Sequence, residues 1–108
     1  MANTFKSYPS KNVGTSAATI YTCPSSTQTT LIGLSVANTT ISPITTDAYI
    51  TRSSVDYYLI KTATVPVGAA LVIVGGDQKV VLQTGDVLKV VTSVTSSADV
   101  ACSLLEIT

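Results

Sequence analysis

"VIVGGDQKVVLQTGDVLKVV", residues 72–91, admits two opposed readings. Gly76-Asp77 and Gly85-Asp86 stand between apolar runs, with Lys79 and Lys89 close behind. The pattern could mark a loop that holds a phosphate or a metal ion, or it could simply turn the chain between strands. A phosphate loop of the G-x-x-x-x-G-K-S/T type runs into a helix, whose first amides hold the anion. Here Gly75-Gly76 runs into "DQKVVLQ", which is strand-like. The turn reading is the simpler one. Glycine supplies positive φ, aspartate ties down the turn, and "KVVLQ" and "DVLKVV" are strands. In this reading "GGDQ" is a hairpin turn. The two lysines point outward by parity and hinder wrong edge pairing.

The rest of the chain supports strands. Of its 108 residues, 18 are Thr, 14 Val and 8 Ile, while Glu and Met occur once each. β-Branched side chains are stiff at χ1 and suit a pleated surface better than a helix. Thirteen serines compete for local backbone hydrogen bonds and further disfavour helix interiors. Charged residues make up 11%, against roughly a quarter in average soluble proteins, and the net charge is zero. That composition gives no footprint for nucleic acid or an anionic membrane. Low charge instead permits association with other subunits. The N-terminus lacks the apolar core of a signal peptide, and no apolar run is long enough for a bilayer span. A cytoplasmic origin is therefore expected, with Cys23 and Cys102 as reduced thiols.

Punctuation sets the order of elements. Residues 1–16 are polar apart from Phe5 and Tyr8 and read as an extended arm; residues 17–108 form the folded domain. Eight strand candidates follow: "AATIYTC", "TTLIGLSVAN", "TTDAYITR", "VDYYLIKTATV", "AALVIV", "KVVLQ", "DVLKVVTSV" and "VACSLLEI". Seven or eight short strands at this spacing predict a sandwich or small barrel. The second to fourth look like a meander, with Ser53-Ser54 turning the last pair. Parity assigns Ile32, Leu34 and Val36 to the core, and likewise Val80 with Leu82, and Leu88 with Val90 and Val94. Gly33 within a strand suggests a bulge or a close backbone approach. Leu71-Val72-Ile73-Val74 is apolar on both faces, as for a doubly buried strand or one whose outer face meets a partner.

Candidates for chemistry are few. Histidine is absent, which removes the commonest general base and zinc ligand. The two cysteines sit in apolar strands, outside any C-x-x-C, and read as small buried thiols. Asp47, Asp56, Asp77, Asp86, Asp99 and Glu106 are scattered singly. Of these, Asp77, Asp86 and Asp99 fall in predicted turns, where aspartate has a structural task. No catalytic residue, cofactor, metal ligand or small-molecule substrate is expected. Tyr49, Tyr57 and Tyr58 could pack across strands, anchor an interface, or stack on sugars.

"TIYTCPSSTQTTLIGLSVANTT" (residues 19–40) and "YLIKTATVPVGAALVIVGGDQKVVLQTGDVLKVVTSVTSSADVACSLLEI" (58–107) resemble small virion structural proteins of tailed bacteriophages, particularly phages of cyanobacteria. Shared elements are T-x-Y-T-x-P, an h-x-G-L-x-h-x-N-T strand, V-P-x-G, G-D-x-h-K-V and S-x-L-E-I, where h is apolar. The arm and the two cysteines lie outside the pattern. The resemblance implies a β-sandwich present in many copies in a virus particle. Joined to the residue reading, it gives an all-β, single-domain antiparallel sandwich, jelly-roll-like, with an N-terminal arm. The expected role is non-enzymatic: a capsid cement or decoration protein, assembled in the bacterial cytoplasm and residing in the virion. Expected partners are other copies of itself, a trimer being one candidate order, and the major capsid protein. Expected contact residues are Phe5, Tyr8, Tyr57, Tyr58, Leu71 and Ile73. The alternatives are a tail, neck, baseplate or fibre-attachment component, or a carbohydrate-binding module.

Overall fold

A computed structural model describes residues 3–75 and 79–108. The described residues form ten strands and no helix. They are β1 (Asn3–Ser7), β2 (Ser10–Val13), β3 (Ala18–Thr22), β4 (Gln28–Asn38), β5 (Ile44–Arg52), β6 (Val55–Val65), β7 (Ala70–Val74), β8 (Val80–Leu82), β9 (Val87–Thr92) and β10 (Ala98–Ile107). Two antiparallel sheets pack face to face. One runs β1-β10-β4-β7, with β2 also on β10 and β8 also on β4; the other runs β3-β9-β5-β6. Consecutive strands mostly change sheet, which is the rolled-up connectivity of a jelly roll.

All eight strands expected from the sequence are present, as β3 to β10. The other two come from the N-terminal segment. That segment is not a free arm: β1 pairs with the second half of β10, Asn3 opposite Ile107 and Ser7 opposite Ser103. β2 pairs with the first half, and the Tyr8 amide donates to Cys102 O between them (2.8 Å). Without a partner, β10 would present a row of unpaired backbone groups, and the polar N-terminal segment satisfies them.

The expected meander is corrected. β4 and β5 lie in opposite sheets, and only β5-β6 is a hairpin. Its two-residue turn places Ser53 at φ 52° and Ser54 at φ 62°, the paired positive angles of a tight hairpin that matches strand twist. The "GGDQ" hairpin is corrected as well. β7 and β8 do not pair with each other; both run along the same side of β4, opposite residues 34–37 and 29–31 respectively. Residues 76–78 themselves, including Gly76 and Asp77, lie outside the described residues. The "TG" reading holds: Gly85 sits at φ 89° between β8 and β9, where the chain changes sheets.

The core lies between the sheets. Leu31, Leu34, Val36, Leu82, Leu88, Val90 and Leu104 are fully buried there. Ile32 is displaced from its expected core position by a bulge. Opposite it, Ser103 pairs with Gly33 but Leu104 pairs with Leu31, so Ile32 is the extra residue. Parity flips across it: Thr29 and Leu31 point inward before the bulge, Leu34 and Val36 after it. Val94 also leaves the core, because β9 ends at Thr92 and Val94 is 43% exposed. Lys89 points outward as expected, but β9 is an inner strand, so it guards no edge.

Truncating Leu104, opposite Leu31 at the bulge, creates a cavity in this core. Leu104→Ala is expected to cost about 2–5 kcal/mol in urea unfolding, and Ile41→Ala on the surface less than about 0.5 kcal/mol. Equal losses would contradict the register.

Candidate interaction surface

Side chains that face the sandwich interior form two polar anchors. In the first, Tyr21 on β3 donates its hydroxyl to Glu106 Oε2 on β10 (2.5 Å). Thr29 Oγ1 on β4 lies 2.8 Å from the same hydroxyl. Lys6 on β1 completes the group, its Nζ 2.8 Å from Glu106 Oε1. One cluster thus joins both sheets and the N-terminal strand. The Lys6 ammonium, then the Tyr21 hydroxyl, hold the Glu106 carboxyl below the usual range. Burial, then the Glu106 carboxylate, push the Tyr21 phenol up, so it stays a neutral donor. Every buried polar side-chain atom among the described residues has a partner, as a structural anchor requires.

The second anchor is Asp86, 1% exposed at the β8–β9 connection. Arg52 at the end of β5 grips it through Nε (2.8 Å) and Nη2, and the Gln83 amide donates to Oδ2 (2.8 Å). The guanidinium is the main reason that its carboxyl sits below the usual range. The expected turn role of Asp86 holds, with an added ion pair that the sequence did not disclose. Asp99 is corrected: it lies on β10, not in a turn, and accepts from the Asn12 amide (3.1 Å) and Lys11 Nζ (3.5 Å).

Both cysteines are buried and free of a disulfide, Cys23 at 2% exposure and Cys102 at 1%. Burial pushes the Cys102 thiol up to about 11. Among the described residues, no three of the Cys, Asp and Glu side chains gather as a metal site would need.

The expected contact residues divide. Phe5 is 76% exposed, Tyr57 57% and Tyr58 44%. Tyr8 is half-buried instead: it packs on the core, its ring 5.1 Å from that of Tyr21. Leu71 and Ile73 also pack on the core, and β7 turns Ala70 and Val72 to solvent, Val72 being 66% exposed. The Tyr49 and Tyr58 rings are tilted to each other rather than coplanar. Tyr58 lies 5.0 Å from Tyr49 at 41°, Lys61 Nζ sits 4.3 Å above Tyr58, and Tyr49 is only 9% exposed.

The two outer faces differ in chemistry. Across the β3-β9-β5-β6 sheet, Lys89, Tyr49 and Tyr58 lie in register, and the neighbouring rows carry Asp47 opposite Val91 and Asp56 opposite Thr51. Across the other sheet one row is Phe5, Leu105, Thr30 and Val81; the next is Ser7, Ser103 and Gly33; the third is Ala101, Ser35 and Val72. None of these residues is charged, but the next row on the same face is Asp99, Ala37 and Ala70, with Lys11 paired to Asp99. Beside the first two rows is a depression of about 310 Å³ lined by Phe5, Lys6, Ser7, Ile32, Ser103 and Leu104. Val81 was missed, although its parity opposite to buried Leu82 was available. Its alignment with Phe5 was not available, because the two meet only through β10 and β4.

No protein-family model matches the chain, and no curated protein matches it. Among solved structures, it is similar to a subunit of Bacillus endospore appendages, described as a novel family of disulfide-linked pili. The TM-score is 0.60 over 99% of this chain and 87% of that one, at 14% identity, so the two share a fold.

Glu106 and Asp86 both have folded pKa values below their ordinary 4.5 and 3.8. Their stabilising contribution is present above those values and is lost as pH falls through the lower folded ones. The urea midpoint is expected to stay flat from about pH 7 to 5 and to drop below about 4. Glu106→Gln should flatten part of that drop. Tyr21→Phe should cost about 1–3 kcal/mol at neutral pH. A Glu106→Gln profile that overlays the wild type would contradict the Lys6–Glu106–Tyr21 anchor.

Proposed function

We propose that the chain is a non-enzymatic structural subunit of an assembly built from many copies. Its composition and the resemblance at residues 19–40 and 58–107 favour a tailed-phage virion, with capsid cement as the leading position. One observation carries the structural reading. Nine large hydrophobic side chains are exposed among the described residues, and six of them sit on strands that border the sheets: Phe5, Val55, Tyr57, Tyr58, Val72 and Val81. Proteins that keep their edges to themselves blunt them with charge, proline or cover. Apolar borders on a neutral chain favour contact with further subunits.

The fold shared with a pilus subunit supports a building role and keeps an external appendage open as a second reading. The two would differ in how copies are held. Cys23 and Cys102 are buried, and the high pKa of Cys102 leaves little thiolate there. Copies of this chain would therefore be joined by non-covalent contacts. Many weak contacts in a symmetric array still give strong retention.

Quantitative mass spectrometry of purified particles tests the reading, with and without reductant. A copy number matching the shell subunits, unchanged by reductant, is the expected result. A low copy number confined to tails would move the protein out of the shell. Absence from particles, together with no ordered assembly of the purified chain in electron micrographs, would overturn the structural role.

A further inference from the structure

We infer that the outer face of the β1-β10-β4-β7 sheet is a self-association surface, on which a second copy of this chain docks face to face. The inference rests on the structural reading above and names the contact it would use. Three observations lead to it.

The first is charge. The three rows from Phe5–Val81 to Ala101–Val72 carry no charged side chain. The charges at their margins, Lys6 beside the depression and Asp99 with Lys11 beside Ala101, are paired within the chain, Lys6 with Glu106 and Lys11 with Asp99. A charged partner would have to break these pairs, whereas a second copy brings the same uncharged rows, and the molecule as a whole carries no net charge to oppose the approach.

The second is relief. Phe5 projects at 76% exposure at the rim of the depression lined also by Lys6, Ser7, Ile32 and Ser103. The depression exists because its row carries only serine and glycine side groups where the next row carries Phe5, Leu105 and Val81. The Ile32 bulge walls one side. A knob beside a hole on one surface is what a two-fold contact needs, since each copy then fills the hole of the other. Stacked sheets pack at about 10 Å, close enough for such side chains to interdigitate.

The third is area. Four strands are about 15–20 Å wide and the rows from Ile107 to Asp99 about 25 Å long, so each face offers roughly 400–500 Å². Two such faces come to about 1,000 Å², the lower limit for a specific interface. The pair is thus expected to be weak alone, in the micromolar range on the order of 1–100 µM, and to gain from repetition in an array.

Sedimentation equilibrium tests this on the full chain. The wild type is expected to shift from its 11.1 kDa monomer to twice that mass as concentration rises. Val72→Asp combined with Val81→Asp should remain monomeric while keeping the wild-type far-UV spectrum, since both sites are exposed. Phe5→Asp should weaken the pair by at least tenfold. Thr64→Asp on the opposite sheet should leave it unchanged. A double variant that pairs as well as the wild type would overturn the face, as would a wild type that stays monomeric at millimolar concentration. If the wild type and the double variant enter particles or filaments equally, the face fails and the structural reading stands. If neither enters any assembly, both fail.

Discussion

Everything in the larger sheet depends on where β10 is placed. The last strand of the chain lies inside that sheet, with β4 on one side and β1 and β2 on the other. None of these elements can complete its backbone hydrogen bonds until β10 arrives, and an unpaired buried amide or carbonyl is costly. β10 also carries Glu106, where Tyr21 of the opposite sheet and Lys6 of the first strand converge. A single strand therefore closes the sheet, ties it to its partner layer and fastens the N-terminal segment. The pairings span almost the whole length of the chain, so loop-closure entropy is paid before they give anything back, and such topologies fold slowly.

The polar interior serves the same end. Glu106 and Asp86 are nearly buried, yet each has a cation and a neutral donor aimed at it. Such groups contribute little net stability compared with well-packed apolar side chains, but removing one partner leaves the other unsatisfied. They tie down two seams of the sandwich: the β1–β3 side through Glu106, and the junction between the β5 end and the β8–β9 connection through Asp86. The apolar residues between the sheets are mostly Leu and Val of similar shape, which by themselves tolerate repacking.

A jelly roll can carry many activities, so the shared fold with an appendage subunit does not select one. The distribution of apolar groups is more informative. Those exposed on strands lie on border strands of both sheets, Phe5, Val72 and Val81 on one and Val55, Tyr57 and Tyr58 on the other. Such borders are what the subunit role proposed above would use.

Residues 72–91 show how far the sequence reached. β-Branched composition and the missing helix signal made strands of "KVVLQ" and "DVLKVV", and Gly85 a turn, with all eight expected strands found. Local chemistry determines such features, because propensity and positive φ belong to single residues. The sequence also marked Gly33 as a site of irregularity, and named Phe5, Tyr57 and Tyr58, all exposed in the structure, as contact candidates. It misplaced Ile32, Leu71 and Ile73, since one extra residue in a ladder reverses parity for all that follows. It joined β7 to β8 as a hairpin, although both strands use β4. It left the N-terminal segment free, although β10 needed an edge partner. Only the tertiary structure could decide these points, along with the Glu106 cluster and the Phe5–Val81 row. Each joins residues far apart in the chain, and which strands become neighbours is settled by closing the whole sandwich, not by any segment within it.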